Sequence, residues 1–233
     1  MKHIFKTINT KKLSYLLVIL TGLTFIASCK KHDDNDFEGT VTARVRLVNT
    51  SPDASPSTLY LTDVLRTPSA VSYGSSSDYN TTYVGDVTAD ARAANNNVLA
   101  SANTTFDANS SYTFFLTGTS GSYSLITLHD DTQAAASGKA KVRYVQASSG
   151  LTSANLLLNG TALFSAQAFK SVTDYSEVNA GAYAFTVTNT GSNTSLANAS
   201  VTLQAGKSYT VYTYGISGGD GTTALAVNVL ANN

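Results

Sequence analysis

The sequence predicts an all-β protein built as two tandem antiparallel β-sandwich domains, and three observations predict it. The chain repeats itself: "ARVRLVNTS" (Ala43–Ser51) is followed 97 positions later by "AKVRYVQAS" (Ala140–Ser148). Within the repeats, apolar and polar residues alternate with a period of two, the signature of strands with one buried face. Finally, "LLLNGTALF" (Leu156–Phe164) sets Asn159-Gly160 between two apolar runs, and those residues tolerate the positive φ angles of a hairpin turn.

The repetition holds in four separated blocks. At the same spacing, "TLYLT" (Thr58–Thr62) pairs with "NLLLN" (Asn155–Asn159), and "LASANTTFDANSSYTFFLTG" (Leu99–Gly118) with "LANASVTLQAGKSYTVYTYG" (Leu196–Gly215). Asp78-Tyr79 matches Asp174-Tyr175 at a spacing of 96. Chance does not hold one register across four blocks, so the chain is a tandem duplication. Its expected organisation is a signal over 1–28, a tether over 29–40, a first sandwich over 41–133, a linker over 134–139 and a second sandwich over 140–233.

The second repeat shows its strands most clearly. Val142 and Tyr144 alternate with Lys141 and Arg143, and Tyr183, Phe185 and Val187 share one face of "YAFTVT". "SYTVYTYG" (Ser208–Gly215) and "ALAVNVL" (Ala224–Leu230) supply the later strands. No stretch shows a helical period, and the β-branched and aromatic content favours sheet. About seven short strands in a unit of this length suggest an immunoglobulin-like sandwich. A transthyretin-like or other Greek-key sandwich is the alternative, because strand order is not legible here. Tyr112 and Tyr209, each just after a turn, suggest tyrosine corners.

The N-terminus carries Lys2, Lys6, Lys11 and Lys12, then the apolar run "LSYLLVILTGLTFIAS" (Leu13–Ser28). A basic head, an apolar segment and small residues before a cut point are the plan of a secretory signal. The run is short for a membrane-spanning helix and diluted by Thr21, Gly22 and Thr24. It ends in "IASC", which resembles the bacterial lipobox. That resemblance implies cleavage before Cys29 and attachment of palmitate-type acyl chains to it. Two or three such chains anchor a protein stably, at about 0.8 kcal/mol per buried methylene. "KKHDDNDFEGT" (Lys30–Thr40) reads as a flexible tether. Lys30 after the cysteine looks like a lipoprotein sent to the outer membrane, and Asp33, Asp34 and Asp36 are similar to surface-export signals. A solvated spacer is the plainer reading of the same acids.

Composition narrows the partners. From Cys29 onward eleven basic residues face fifteen acidic ones, so nucleic acid is not an expected partner. Charged residues make up 13% of the chain and apolar residues 42%, enough for buried cores. No cofactor is implied, and no second cysteine exists for a disulfide.

"ARVRLVNTSPDASPSTLYL" (Ala43–Leu61), "TDYSEVNAGAYAFTVT" (Thr173–Thr188) and "VTLQAGKSYTVYTYG" (Val201–Gly215) resemble the blocks of the family catalogued as domain of unknown function 4397. The resemblance covers roughly residues 41 to 233 and implies a secreted or lipid-anchored bacterial protein with tandem copies. It implies no activity. The second copy loses Ser-Pro-Asp, with Ser149 and Gly150 where Pro52 and Asp53 stood, and Asn109 takes the place of Gly206. Asparagine still suits a left-handed turn position there.

Candidate binding residues are few. Asp53 beside Pro52 reads first as a turn residue bonded to nearby backbone, and second as a ligand contact. Arg44 with Arg46, and Lys141 with Arg143, set two basic side chains on one face of equivalent strands. They are candidate grips for an anionic polymer, against the plainer reading of a solvated face or of pairing with acids on a neighbouring strand. Tyr79 and Tyr175 read as core tyrosines. Twelve tyrosines after Cys29 are candidate sugar-stacking surfaces as well as core. His32 with its aspartates makes a poor cation site, and "GISGGDGTT" (Gly215–Thr223) lacks the context of a phosphate loop.

No nucleophile elbow and no paired carboxylates suggest catalysis, and the sole cysteine is spent on lipid. The expected function is therefore that of a lipid-anchored cell-envelope protein, not an enzyme. It would be a binding or adhesion module at the outer membrane or cell surface, with a glycan or an envelope protein as ligand. The alternatives are a structural component of an envelope complex or surface layer, and an uncharacterised hydrolase.

Overall fold

The computed structural model describes residues 41–233. The expected signal, Cys29 and the tether to Thr40 lie outside the described residues. The first repeat supplies β1 (Thr42–Asn49), β2 (Ser57–Leu61), β3 (Val64–Leu65), β4 (Asn80–Tyr83), β5 (Gly85–Ala93), β6 (Val98–Phe106), β7 (Ser111–Thr117) and β8 (Ser124–Asp130). The second supplies β9 (Lys139–Gln146), β10 (Ser153–Leu158), β11 (Thr161–Ala168), β12 (Ser176–Asn179), β13 (Gly181–Asn189), β14 (Ser195–Leu203), β15 (Ser208–Tyr214) and β16 (Ala226–Ala231). The only helical turn among the described residues is Gly221–Thr223.

Each repeat is a two-sheet sandwich with the same topology. The sheets run β4-β1-β7-β8 and β3-β2-β5-β6 in the first, and β12-β9-β15-β16 and β11-β10-β13-β14 in the second. The all-β, tandem, immunoglobulin-like expectation therefore holds, with two refinements. Each repeat has eight strands rather than about seven, because "NTTY" (β4) and "SEVN" (β12) are too short and polar to show alternation. The sheets are antiparallel except that β1 pairs parallel with β7 and β9 parallel with β15. A parallel pairing leaves the period of two unchanged, so no sequence pattern announces it.

Alternation builds the two cores. In the first, Val45 and Leu47 from β1 meet Leu59 and Leu61 from β2, Ala89 and Ala91 from β5, and Phe114 from β7. In the second, Val142 and Tyr144 meet Leu156, Phe185, Val187 and Val211. Each large apolar side chain so buried contributes about 1.5–3 kcal/mol. The Tyr144 hydroxyl is satisfied by Thr213 Oγ1 at 2.6 Å. The tyrosine corners are present in both repeats: the Tyr112 hydroxyl accepts the Asp107 N–H at 3.0 Å and the Tyr209 hydroxyl accepts the Gln204 N–H at 3.0 Å. At the hairpin, Asn159 and Gly160 have φ of 48° and 82°, and β10 pairs with β11 across them.

The Ser-Pro-Asp difference between the copies has a structural cause. Asp53 Oδ2 accepts the Ser120 N–H at 2.8 Å and Oδ1 accepts the Tyr123 hydroxyl at 3.2 Å, bracing the β1–β2 loop against the β7–β8 loop. In the second repeat the same two loops touch directly. A Cβ on Gly150 would lie 2.6 Å from the Ser217 nitrogen, so the backbone itself fills the place of the Asp53 carboxylate. Only glycine permits that approach.

Of the two plainer readings of the basic pairs, the solvated face is corrected for Arg46 and Arg143, which are buried, and holds for Arg44, while Lys141 and Arg143 pair with the acids Asp131 and Asp130. Both repeats lie in one compact unit. Behind the cores, the two faces that carry Arg46 and Arg143 are buried together. A third apolar cluster, Val48, Phe115 and Leu128 with Val145, Ala147 and Tyr212, draws on both repeats. At equivalent positions Val48 matches Val145 and Phe115 matches Tyr212, so the contact is reciprocal, like that of an isologous dimer.

Candidate functional site

Of the residues singled out from sequence, the seam between the repeats gathers Arg46 with Tyr79 and Arg143 with Tyr175. Arg46 and Arg143 are 5% and 3% exposed, and Asp130 is 2% exposed. Arg46 donates from Nε to Thr113 Oγ1 at 2.8 Å and from Nη1 to the Ala231 carbonyl at 2.9 Å. Arg143 does the same in mirror fashion, from Nε to Thr210 Oγ1 and from Nη1 to the His129 carbonyl, each at 2.8 Å. Each guanidinium thus reaches across to the last strand of the other repeat. Planar, multi-donor arginine suits such a joint better than lysine would.

The symmetry breaks at the centre. The last strand β8 ends in Asp130 and β16 is followed at once by Asn232, and the two occupy equivalent positions beside Ser111 and Ser208. Asp130 accepts the Arg143 Nη2 hydrogen bond, and its carboxylate also receives Thr113, Tyr79 and Asn232 Nδ2, each at 2.6 Å. Asn232 Oδ1 accepts Thr210 at 2.9 Å. An aspartate at 232 would press two carboxylates together across the seam, and the amide turns that repulsion into a bond. The consequence is an imbalance of two buried guanidiniums to one buried carboxylate. Burial first, and then the Asp130 carboxylate, push the Tyr79 hydroxyl well above its ordinary range, so it stays a neutral donor.

The remaining singled-out residues sit at the margins. Lys141 donates to Asp131 at 2.6 Å. Arg44 is exposed and donates from Nη2 to Ser111 Oγ at 3.0 Å. Asp53 is remote from the seam, in its loop brace. Although burial alone would raise the Asp131 pKa, hydrogen bonds from Lys141 and the Gln133 N–H together with the Lys141 charge hold it below the usual carboxylate range. A depressed carboxylate stabilises the fold above its unfolded pKa, and that contribution disappears as pH falls through the folded value. The Lys141→Gln variant is therefore expected to be slightly less stable than the parent above about pH 5, within the about 0–1 kcal/mol range of exposed pairs. The two melting temperatures should converge on acidification, which a pH series of thermal melts reads directly.

Two clefts open at the ends of the seam. One, of about 380 Å³, is lined by Arg44, Arg46, Ser77, Asp78, Tyr79 and Asn232 among others. Its counterpart, of about 290 Å³, is lined by Arg143, Asp174, Tyr175 and His129 among others. Sequence reasoning missed Asp130, Thr113, Thr210 and Asn232, since a single carboxylate and ordinary strand threonines carry no motif.

A second repeated feature lies on the sheets that form no part of the seam. Open grooves cross β5–β6, at Asp86, Thr88, Asn103 and Thr105, and β13–β14, at Ala182, Tyr183, Ser200 and Thr202. They measure about 410 and 330 Å³ and fall at equivalent positions of the two repeats. Their walls mix hydroxyls, the Asn103 amide and the Asp86 carboxylate with the apolar surface of Val87, Ala182, Tyr183 and Val201. Among the described residues no group of three or more His, Cys, Asp and Glu side chains is placed to hold a metal ion.

The profile of a family described as Domain of unknown function (DUF4397) matches residues 43–152 and again 140–233. Among solved structures, a family 26 carbohydrate-binding module of Eubacterium rectale Amy13K, in complex with maltoheptaose, is similar at 11% identity and a TM-score of 0.24. That match covers 83% of this chain and 98% of that one. A candidate cell adhesion protein of Bacteroides eggerthii is similar at 14% identity and a TM-score of 0.20, covering 82% of this chain and 95% of that one. No curated protein matches.

Proposed function

The chain belongs to the DUF4397 family and carries two tandem copies of its domain, and from that premise we propose that it is a non-catalytic binding module of the bacterial cell envelope. The lipid on Cys29 anchors it, Lys30–Thr40 is the tether, and the outer membrane or cell surface is its place. The single observation that carries the reading is the groove repeated at equivalent positions on β5–β6 and β13–β14. An open groove that sets hydroxyls beside apolar surface, present twice in one compact unit, suits an extended, polyhydroxylated polymer that fills both at once. The charged side chains of the seam hold the spacing of the grooves fixed, so little freedom is lost when the second one is occupied.

Residues 41–233 are expected to bind an envelope or extracellular polysaccharide saturably. Removing one groove with Asn103→Ala, or the other with Ser200→Ala, is expected to weaken polymer binding by roughly tenfold or more. Short oligosaccharides, which fill one groove, should lose only the site that was changed. Binding to polymer that is unaffected by either variant, or no saturable polysaccharide at all, overturns the reading in favour of a structural envelope component. A Cys29→Ala chain should leave the membrane fraction, and its retention there would sink the anchor.

A further inference from the structure

We propose that the seam cleft of the first repeat is a carboxylate site for a sugar acid, and that its counterpart in the second repeat is not. The two clefts are internal controls for one another, because the same frame surrounds both. Arg143 makes three kinds of bond, from Nε to Thr210, from Nη1 to the His129 carbonyl and from Nη2 to Asp130. Arg46 repeats the first two, but its Nη2 is buried with no acceptor. The position that would have supplied one is Asn232, whose oxygen is engaged by Thr210 and whose amide donates to Asp130.

The basic residue two before each buried arginine differs in the same sense. Lys141, the second repeat's counterpart of Arg44, is neutralised by Asp131. Arg44, at the first cleft, donates to the Ser111 hydroxyl and, among the described residues, forms no ion pair. The first cleft therefore presents two guanidiniums with no ion-paired carboxylate among the described residues, stacked at 5.2 and 4.4 Å from the Tyr79 ring centroid. Asp78 is the one acid on its wall.

A guanidinium pair of this kind is suited to a carboxylate, through charge-assisted bonds that a neutral ligand does not form. The rest of the wall decides what bears it. Ser76, Ser77, Asn232 and Asn233 offer hydroxyls and amides, beside the apolar surface of Leu230, Ala231 and the Tyr79 ring. Hydroxyl and amide partners around a guanidinium pair suit the hydroxyls and carboxylate of a uronic acid. This assignment goes beyond the groove reading and stands without it, since the cleft and the grooves lie on different sheets.

Titration calorimetry on the full chain in non-ionic detergent tests it, with D-glucuronate as the probe, D-glucose as its neutral analogue and an N-acetylated dipeptide as a peptide carboxylate. Saturable glucuronate binding is expected, with glucose silent and the dipeptide weaker. Arg44→Gln, an exposed change, should weaken it about tenfold, the loss of one charge-assisted bond. Asp78→Asn should strengthen it by roughly threefold, by removing the one like charge. Lys141→Gln should leave it unchanged. Absence of saturable glucuronate binding, equal binding of glucose, preference for the dipeptide, or indifference to Arg44→Gln each overturns the proposal.

Discussion

Replacing Asp130 with alanine is expected to cost about 3–5 kcal/mol of stability, the penalty for leaving a buried charge without its partner. Among the described residues the carboxylate is the sole acidic group that touches Arg143, and through Thr113 it also backs Arg46. Its loss would strand two guanidiniums that are 5% and 3% exposed. Tyr79, Thr113 and Asn232 would lose their shared acceptor at the same time. Equilibrium urea unfolding at neutral pH reads the effect as a fall in midpoint at unchanged slope. Asp130→Asn should be intermediate, since one oxygen remains for Arg143 while the amide faces hydroxyls that must turn to accept. The double variant Asp130→Leu with Arg143→Met should cost less than Asp130→Ala, because well-packed apolar groups replace an ion pair at little loss. A loss below about 1 kcal/mol for Asp130→Ala, the range of an exposed pair, would mean that water reaches the seam.

The cores and the turns were legible because they depend on local periodicity. Val142 and Tyr144 face inward as the alternation required, and Asn159-Gly160 turns the hairpin because those two residues accept positive φ. The repeat register carried further, placing Tyr112 and Tyr209 in the same corner of both sandwiches. What stayed hidden was the second face of β1 and β9. Alternation distinguishes two faces but not what covers each, and arginine is read as solvent-facing until a partner surface is known. That partner lies about a hundred residues away in the chain and was a duplicate of the strand itself. Asp130 was invisible for the same reason: its four partners come from β4's approach, β7, β9 and the end of the chain, and no spacing rule joins them.

The apolar part of the seam should prove as important as the charged part. Phe115 and Tyr212 are equivalent residues of the two repeats, 0% and 1% exposed, with ring centroids 5.2 Å apart at 69°. Truncating either to alanine is expected to cost about 3–5 kcal/mol, the transfer term of the ring plus the cavity it leaves. The rings also attract one another edge to face, so part of each loss belongs to the pair, about 0.5–1.5 kcal/mol. The double variant should therefore cost less than the sum of the singles, and a double-mutant cycle isolates that difference. The same variants carry the functional consequence. With the seam loosened, the two sandwich cores keep their own side chains, so each groove should still bind a short oligosaccharide as before. Polymer binding should fall, because the gain from occupying both grooves rests on their fixed separation. Unfolding of the parent should be a single transition, and in the double variant the two repeats should melt apart. If polymer affinity survives that separation, each repeat binds alone, and the seam contributes stability without contributing to binding.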